Sequence, residues 1–198
     1  MISLFIDTST SDVSIALIKD NKLLSTVHNN IPGEHSVYVT KYIENILKEN
    51  KLTPNDVNEI IVVKGPGSFT GIRIGVTIAK VFAYLTKIRI VSITSLKAMV
   101  IGKKESEYYL SLIDAKHNNY YVGLYNSSYD TIKESFLSKE EVEKIIKEYH
   151  PMIIEDNEYN IIQIVEYAKK LKSENPHSVN PIYLKLPEAM EKKNDKRS

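Results

Sequence analysis

Apolar positions in the first half of the chain change between the period of strands and the period of helices. Between residues 35 and 50 the apolar side chains recur at helical spacing, whereas residues 60–63 form a short β-branched run that is typical of a buried strand. The whole pattern predicts strands at residues 3–6, 13–19, 22–27, 60–63 and 89–93, and helices at residues 35–50, 69–87 and 95–101.

The second half of the chain follows the same order of elements. Ser138 and Glu141 have the spacing of a capping box, which predicts that a helix starts after Ser138. The other predicted elements are strands at residues 108–113, 119–125, 131–137 and 152–155, a helix at residues 160–171 and an extended segment at residues 181–186. Each half therefore reads βββαβα.

The repeat is also visible in the letters. FIDTSTSDVSIALI, residues 5–18, aligns without gaps on LIDAKHNNYYVGLY, residues 112–125, and matches Asp7 to Asp114. Self-similarity of this kind indicates a duplicated architecture. We therefore predict an α/β protein of two related subdomains, at residues 1–103 and 104–198, with frayed charged residues at the end of the second.

Composition narrows the classes of function. The 198 residues include 26 Lys and Arg against 25 Asp and Glu, so a strongly basic nucleic-acid surface is not expected on this chain alone. The absence of cysteine excludes disulfides, thiol catalysis and cysteine-based zinc sites. No signal peptide or membrane span is predicted, and the expected compartment is the cytoplasm.

The glycine-rich loop at residues 65–75, GPGSFTGIRIG, resembles a phosphate loop but matches no nucleotide motif. It lacks the Gly-Lys pair of a P-loop, and Gly65, Gly67 and Gly71 are spaced one residue too widely for a dinucleotide-binding turn. Ser68 is outside a nucleophile elbow and is expected to cap the following helix. The loop is either a plain strand-to-helix connection or a weak anion site.

Small residues recur every four positions along the helix that follows this loop. Gly71, Gly75, Ala79 and Ala83 form a ridge almost without side chains. Because glycine inside a helix is destabilising, another backbone is expected to approach this ridge closely. The ridge packs either within the chain or against another chain, and we favour the second alternative.

Candidate catalytic chemistry is sparse in this sequence. His35 has Val39 four residues later, where a helical metal site needs a second histidine, so neither a metal site nor a catalytic residue is predicted. Asp7 and Asp114 end equivalent predicted strands. Together with Thr8 and Ser9, they could form a nucleotide cleft that holds Mg²⁺, or they could be structural carboxylates.

Several motifs carry a resemblance to a known family. GPGSFTGIRIG, LFIDTST at residues 4–10, EHSVYVTKYIENIL at residues 34–47 and PIYLK at residues 181–185 are similar to the signatures of the TsaB family. The resemblance implies a duplicated actin/Hsp70/sugar-kinase-like fold. It also implies a part in making N6-threonylcarbamoyladenosine at position 37 of tRNAs that read ANN codons.

TsaB-like proteins are non-catalytic paralogues of the transferase TsaD, so the resemblance implies a scaffold rather than an enzyme. The implied partners are TsaD in a heterodimer, the ATPase TsaE in a larger complex and a second copy when the chain is alone. TsaC supplies the threonylcarbamoyl-adenylate, tRNA is reached only through the complex, and ATP or ADP with Mg²⁺ is expected there rather than on this chain.

The resemblance also implies which residues matter. The signature loop comprises Gly65, Pro66, Gly67, Ser68, Phe69, Thr70, Gly71 and Arg73, and the partner interface comprises His35, Tyr38, Tyr42, Gly71, Gly75, Ala79 and Ala83. Two other functions remain open at this point. One is a self-sufficient ATPase or kinase of the same fold, and the other is a metalloprotease-like enzyme.

Overall fold

A five-stranded sheet forms the core of the first half in this computed structural model, which describes residues 1–30 and 34–185. Its strands lie in the order β3-β2-β1-β4-β5, with the first three antiparallel and β4 and β5 parallel to β1. The elements are β1 (Ile2–Asp7), β2 (Asp12–Lys19), β3 (Lys22–Asn30), α1 (His35–Glu49), β4 (Glu59–Val63), α2 (Phe69–Thr86), β5 (Arg89–Ile93) and α3 (Ser95–Val100).

A four-stranded sheet repeats this topology in the second half. Its order is β8-β7-β6-β9, again with an antiparallel meander and a parallel fourth strand. The elements are β6 (Tyr108–Asp114), β7 (Asn119–Asn126), β8 (Thr131–Ser138), α4 (Lys139–Tyr149), β9 (Met152–Ile154) and α5 (Ile161–Ala168). The predicted duplication of the βββαβα unit is confirmed.

The helices α2 and α4 begin at the residues that the predicted caps, Ser68 and Ser138, indicated. Ser138 and Glu141 form the expected capping box at the start of α4, and Ser68 Oγ accepts a hydrogen bond from the Gly71 amide at the start of α2. Residues 181–185 form no regular strand. Residue 186 of the predicted extended segment and the predicted frayed end lie outside the described residues.

Two helices are exchanged between the halves. The α3 helix leaves the first half and packs its Leu96 and Met99 against Tyr109 and Tyr125 of the second sheet. The α5 helix leaves the second half and packs against the outer face of the first sheet, where Phe5, Ala16 and Ile61 meet Ile164, Val165 and Ala168. The division at residues 103 and 104 separates the two sheets along the chain, but the two hydrophobic cores are shared.

The gapless alignment of the two halves is wrong by one residue along the first strands. Ile6 lies in the core under α1 and α2, and its counterpart under α4 is Leu112 rather than the aligned Ile113. Because successive side chains point to opposite faces of a sheet, this slip places Asp7 and Asp114 on faces with different neighbours. The letter match Ile-Asp is therefore not a structural equivalence.

The small-residue ridge of α2 is buried inside the chain. A Cβ atom added at Gly71 would lie 2.1 Å from the Thr8 carbonyl oxygen, and one added at Gly75 would lie 2.2 Å from Thr8 Oγ1. Ala79 and Ala83 are also buried. The prediction that this ridge receives another chain is wrong, because the residues that follow β1 already fill the space beside Gly71 and Gly75.

The α2 helix is the one helix in the described ranges that is long and apolar enough to cross a membrane. That test uses length and composition only. Its buried face packs against β1 and β4, and Ile72 and Val76 belong to the core of the first half. The packing of α2 within the fold thus explains part of its apolar composition.

Replacing Gly71 with Ala tests the close approach of Thr8. The new methyl group would collide with a backbone oxygen, so we expect the free energy of unfolding to fall by about 2 to 3 kcal/mol in urea denaturation. Thr77→Ala is the matched control on the exposed side of the same helix, with an expected change within about 0.5 kcal/mol. Equal stability of Gly71→Ala and the unchanged protein would contradict the tight packing.

Candidate functional site

The signature loop connects β4 to α2 and is enclosed on two sides. On one side, the Ser68 amide donates to the Ser9 carbonyl at 2.6 Å, and a Cβ atom at Gly67 would lie 2.1 Å from the same oxygen. On the other side, Gly65 has a φ of +100° and lies against the Ile182 carbonyl. The glycines therefore serve close backbone contacts, which favours the plain strand-to-helix connection over an anion site.

A cluster of three side chains joins the signature loop to the last described segment, residues 181–185. The Arg73 Nε donates to the Tyr183 hydroxyl at 2.8 Å, and the guanidinium carbon lies 3.7 Å from the centre of the Phe69 ring. The Phe69 and Tyr183 rings are 4.9 Å apart. We call these three residues the arginine cluster. Sequence reasoning placed Phe69 and Arg73 in the signature loop but missed Tyr183, because their contact spans 110 residues.

An apolar groove of about 720 Å³ runs between α1 and α2. Its walls include Ile43 and Leu47 of α1 and Ile78, Val81, Phe82 and Leu85 of α2. We call it the α1–α2 groove. Val81, Tyr84 and Leu85 are large apolar or aromatic residues that are exposed by 52%, 59% and 70% along α2. Clustered exposure of this kind marks an interaction surface.

None of the seven predicted interface residues lines the α1–α2 groove. His35 is buried, and its Nε2 lies 3.0 Å from the Thr10 carbonyl oxygen, so its ring fastens α1 to the loop after β1. Tyr38 and Tyr42 are half-buried and stack on each other at 5.8 Å. Of the seven predicted residues, these two tyrosines are partly exposed. The sequence prediction did not include the exposed stripe of α2, which consists of Val81, Tyr84 and Leu85. The apolar side chains of Val81 and Leu85, on a helix whose small residues lie on another face, were the signal that could have indicated it.

Charge on the exposed side of α2 has one sign. The helix contains Arg73 and Lys80 and no acidic residue. On the α1 side of the groove, Lys48 and Lys51 outnumber Glu44. A partner surface with carboxylates would complement this arrangement.

Asp7 lies at the end of β1 and is 4% exposed. Burial raises the pKa of its carboxyl above the ordinary value of 3.8, opposed by the hydrogen bond that the Ser9 amide donates to Oδ1 at 2.7 Å. The neighbouring Thr8 hydroxyl donates to the Gly71 carbonyl. Asp7 lines a cavity of about 410 Å³ together with Asp12, Glu158 and Tyr159.

Asp114 has a different environment. Its side chain is exposed, and the hydrogen bond from the Lys116 amide, at 2.8 Å, is the main cause that lowers its pKa. Asp114 does not line the cavity that Asp7 lines. Asp7 and Asp114 therefore do not share this cavity, and each carboxylate makes local hydrogen bonds; the nucleotide cleft of Asp7, Thr8, Ser9 and Asp114 stays a prediction.

The Asp7 cavity also has unsuitable chemistry for a nucleotide. Its charged lining consists of Asp7, Asp12 and Glu158, with His28 beside Asp12. Carboxyl groups of this kind repel a polyphosphate, and no glycine in the lining offers close backbone amides. Within residues 1–30 and 34–185, no three His, Asp or Glu side chains group in a way that could hold a metal ion.

Comparisons with known proteins agree with this fold. A family model described as "TsaD: tRNA N6-adenosine threonylcarbamoyltransferase" matches residues 26–169. YeaZ from Pseudomonas aeruginosa has a similar structure, with a TM-score of 0.75 and 19% identity over 92% of this chain and 99% of that one. The topology and this likeness define the class of the fold: an α/β protein with an actin-like duplicated architecture.

Two curated relatives narrow the assignment. The "tRNA threonylcarbamoyladenosine biosynthesis protein TsaB" of Bacillus subtilis (strain 168) is 34% identical over 126 residues, which are 63% of this chain and 55% of that protein. The "Uncharacterized protein MG208" of Mycoplasma genitalium is 29% identical over 93% of this chain and 95% of its own length. The match thus spans about half the length of the Bacillus relative. The chain belongs to the TsaD family, and it is similar to proteins that are named TsaB.

The raised pKa of Asp7 predicts a specific dependence of stability on pH. The folded chain holds this proton more tightly than the unfolded chain, so the favourable contribution is complete below the unfolded pKa of 3.8 and is lost as pH rises through the folded pKa. Asp7→Asn should therefore raise the free energy of unfolding at pH 7, and this gain should disappear as the pH falls towards 4.

Asp114→Asn is the matched control for this measurement. The pKa of Asp114 is lowered in the folded chain, so its contribution is present above the unfolded pKa and is lost as pH falls. The control should therefore give no gain in stability at pH 7. Denaturant titrations of both variants across pH 4 to 8 check the prediction, and a loss of stability for Asp7→Asn at pH 7 would contradict it.

Proposed function

We propose that this chain is a non-catalytic subunit that binds a TsaD-type transferase. In that role it supports the transfer of threonylcarbamoyl to adenosine 37 of tRNAs that read ANN codons. Support comes from the family model, whose description names the transferase, and from the Bacillus relative, whose name gives the same modified nucleoside. The proposed compartment is the cytoplasm.

The exposed α1–α2 groove is the observation that carries this proposal. On one face of α2, three large side chains are exposed together: Val81, Tyr84 and Leu85. Association with a partner would remove this apolar surface from water, which is favourable. With a volume of about 720 Å³ and an apolar lining, the groove suits the side chains of a partner helix, as in helix-in-groove recognition. The proposed docking face consists of this groove and the exposed stripe of α2.

Structural uses of the candidate chemical groups support a non-catalytic role. The His35 ring is directed at the Thr10 carbonyl, the Thr8 hydroxyl donates to α2, and Ser68 caps that helix. A nucleophile or a base must reach a substrate, whereas these groups already hold the fold together. The transferase chemistry is therefore assigned to the partner.

The charges favour a transferase subunit over a second copy as the main occupant. A second copy would bring another α2 with Arg73 and Lys80 and without an acidic residue. A paralogue can supply carboxylates at these positions, and like charges opposite one another are unfavourable. We propose that a homodimer forms through the same face only when the transferase is absent.

In this proposal, the nucleotide, TsaE and tRNA bind to the assembled complex and not to this chain alone. ATP or ADP with Mg²⁺ is held outside this chain, together with the ATPase TsaE, since the Asp7 cavity is acidic. The tRNA is contacted through the complex, because the net charge of this chain is only +1.

Leu85→Glu tests the docking face. Leu85 is exposed by 70%, so the variant should keep its fold, yet a charge in the apolar patch should weaken binding to the TsaD-type transferase of the same organism by at least about tenfold. Titration calorimetry with the purified transferase measures the affinity, and sedimentation of the chain alone reports its self-association.

Ile132→Glu is the control for this experiment. Ile132 is another exposed apolar residue, lies on β8 in the other sheet, and receives the same added charge. Its variant should bind the transferase like the unchanged protein. Unchanged binding by Leu85→Glu would remove the α1–α2 groove from the proposal, and no binding by the unchanged chain would refute the proposed function.

A further inference from the structure

The arginine cluster presents a guanidinium group in a fixed position on an exposed surface. Arg73 is exposed, but its Nε bonds to the Tyr183 hydroxyl and its plane lies over the Phe69 ring. Within the described ranges, the hydrogen bond of the Arg73 guanidinium is made by Nε, and its two terminal nitrogens take part in no hydrogen bond or ion pair. Four N–H donors at these nitrogens are thus left for a ligand.

Arg73 lies at one end of the proposed docking face. Thr77, Val81 and Tyr84 follow it on α2 at intervals of four, four and three residues, which places all four on one stripe of the helix. All four residues are exposed, and all but Arg73 line the groove or the adjoining hollow beside His177. The apolar part of the stripe therefore ends in a positive group.

The contacts of Arg73 reduce the entropy that binding would cost. An exposed arginine normally loses several freely rotating torsions when it forms an ion pair. Here two aromatic rings and one hydrogen bond hold the side chain before any partner arrives. A preorganised fork with two free nitrogens matches the two oxygens of a carboxylate.

We infer that Arg73 is a preformed anchor of the docking face, held by Phe69 and Tyr183, which binds a carboxylate of the partner protein. This inference rests on the proposed function. It names Arg73 as the residue that orients the partner on the docking face. Through Tyr183, the segment at residues 181–185 acts as a positioning element for Arg73. Its anchorage to the loop is the hydrogen bond from the Ile182 amide to the Lys64 carbonyl at 2.8 Å.

A protein carboxylate fits this anchor better than an RNA phosphate. Lys80 is the one other basic residue of α2, and its Nζ already donates to the His177 carbonyl. Phosphate backbones are bound by several basic residues along a track, whereas the neighbours of Arg73 on its stripe are threonine, valine and tyrosine. An arginine beside aromatic and aliphatic side chains is the common composition of a protein-binding hot spot.

Three variants test the anchor by titration calorimetry with the purified transferase of the same organism. Arg73→Lys keeps the charge but loses the planar fork and should weaken binding by about tenfold. Arg73→Ala should weaken it by about 30-fold or more. Tyr183→Phe keeps the ring but removes the hydroxyl that holds Nε, and should weaken binding by about threefold.

The matched control is Lys144→Ala, which removes one positive charge from the exposed side of α4. It should change the affinity by less than about twofold. If Arg73→Lys binds like the unchanged protein, charge alone is sufficient and the anchor is refuted while the proposed function stands. If the Arg73 variants alter only tRNA binding by the complex, or only self-association, the inference is also overturned. No binding by the unchanged chain refutes the proposed function and this inference together.

Discussion

The close contact between the turn after β1 and the glycine side of α2 sets the arrangement of the first half of the molecule. Thr8 touches Gly71 and Gly75, its hydroxyl donates to the Gly71 carbonyl, and Ser9 receives the Ser68 amide. Side chains at those glycines would push the helix away from the sheet. Because the contact fixes the rotation of α2 about its axis, it also decides that Val81 and Leu85 face outwards. The exposed stripe of α2 is therefore a consequence of packing at the opposite side of the same helix.

The second half of the chain is fastened to this first unit by buried polar contacts. Arg89 of β5 pairs with the buried carboxylate of Glu59 and donates to the carbonyls of Ala168 and Leu171 at the end of α5. Glu174 accepts hydrogen bonds from the amide and the hydroxyl of Ser92. Breaking buried ion pairs of this kind leaves an uncompensated charge and is costly. With α5 held there, Tyr159 closes over Asp7 and packs on Phe5, so a position at the end of β1 becomes part of the interior.

Sequence reasoning was accurate where local physics is sufficient. The order of the elements, both helix caps and the duplication followed from apolar periodicity, polar caps and repeated letters. The spacing of Gly71 and Gly75, which are costly inside a helix, correctly indicated that another backbone comes close to α2: the Thr8 carbonyl oxygen approaches Gly71, and the Thr8 side chain fills the space beside Gly75. The spacing could not say whose backbone it was. Likewise, the shared Ile-Asp letters hid a slip of one residue that reverses the face of the second aspartate.

By itself, the sequence determined the α/β class, the two βββαβα units and the signature loop of the family. Only the tertiary structure decided which face of α2 is free, that Asp7 is buried apart from Asp114, and that Tyr183 holds Arg73. The physical reason is that periodicity and capping act over a few residues. The burial of a carboxyl, the covering of a helix face and the contact of side chains 110 residues apart depend on how distant segments pack.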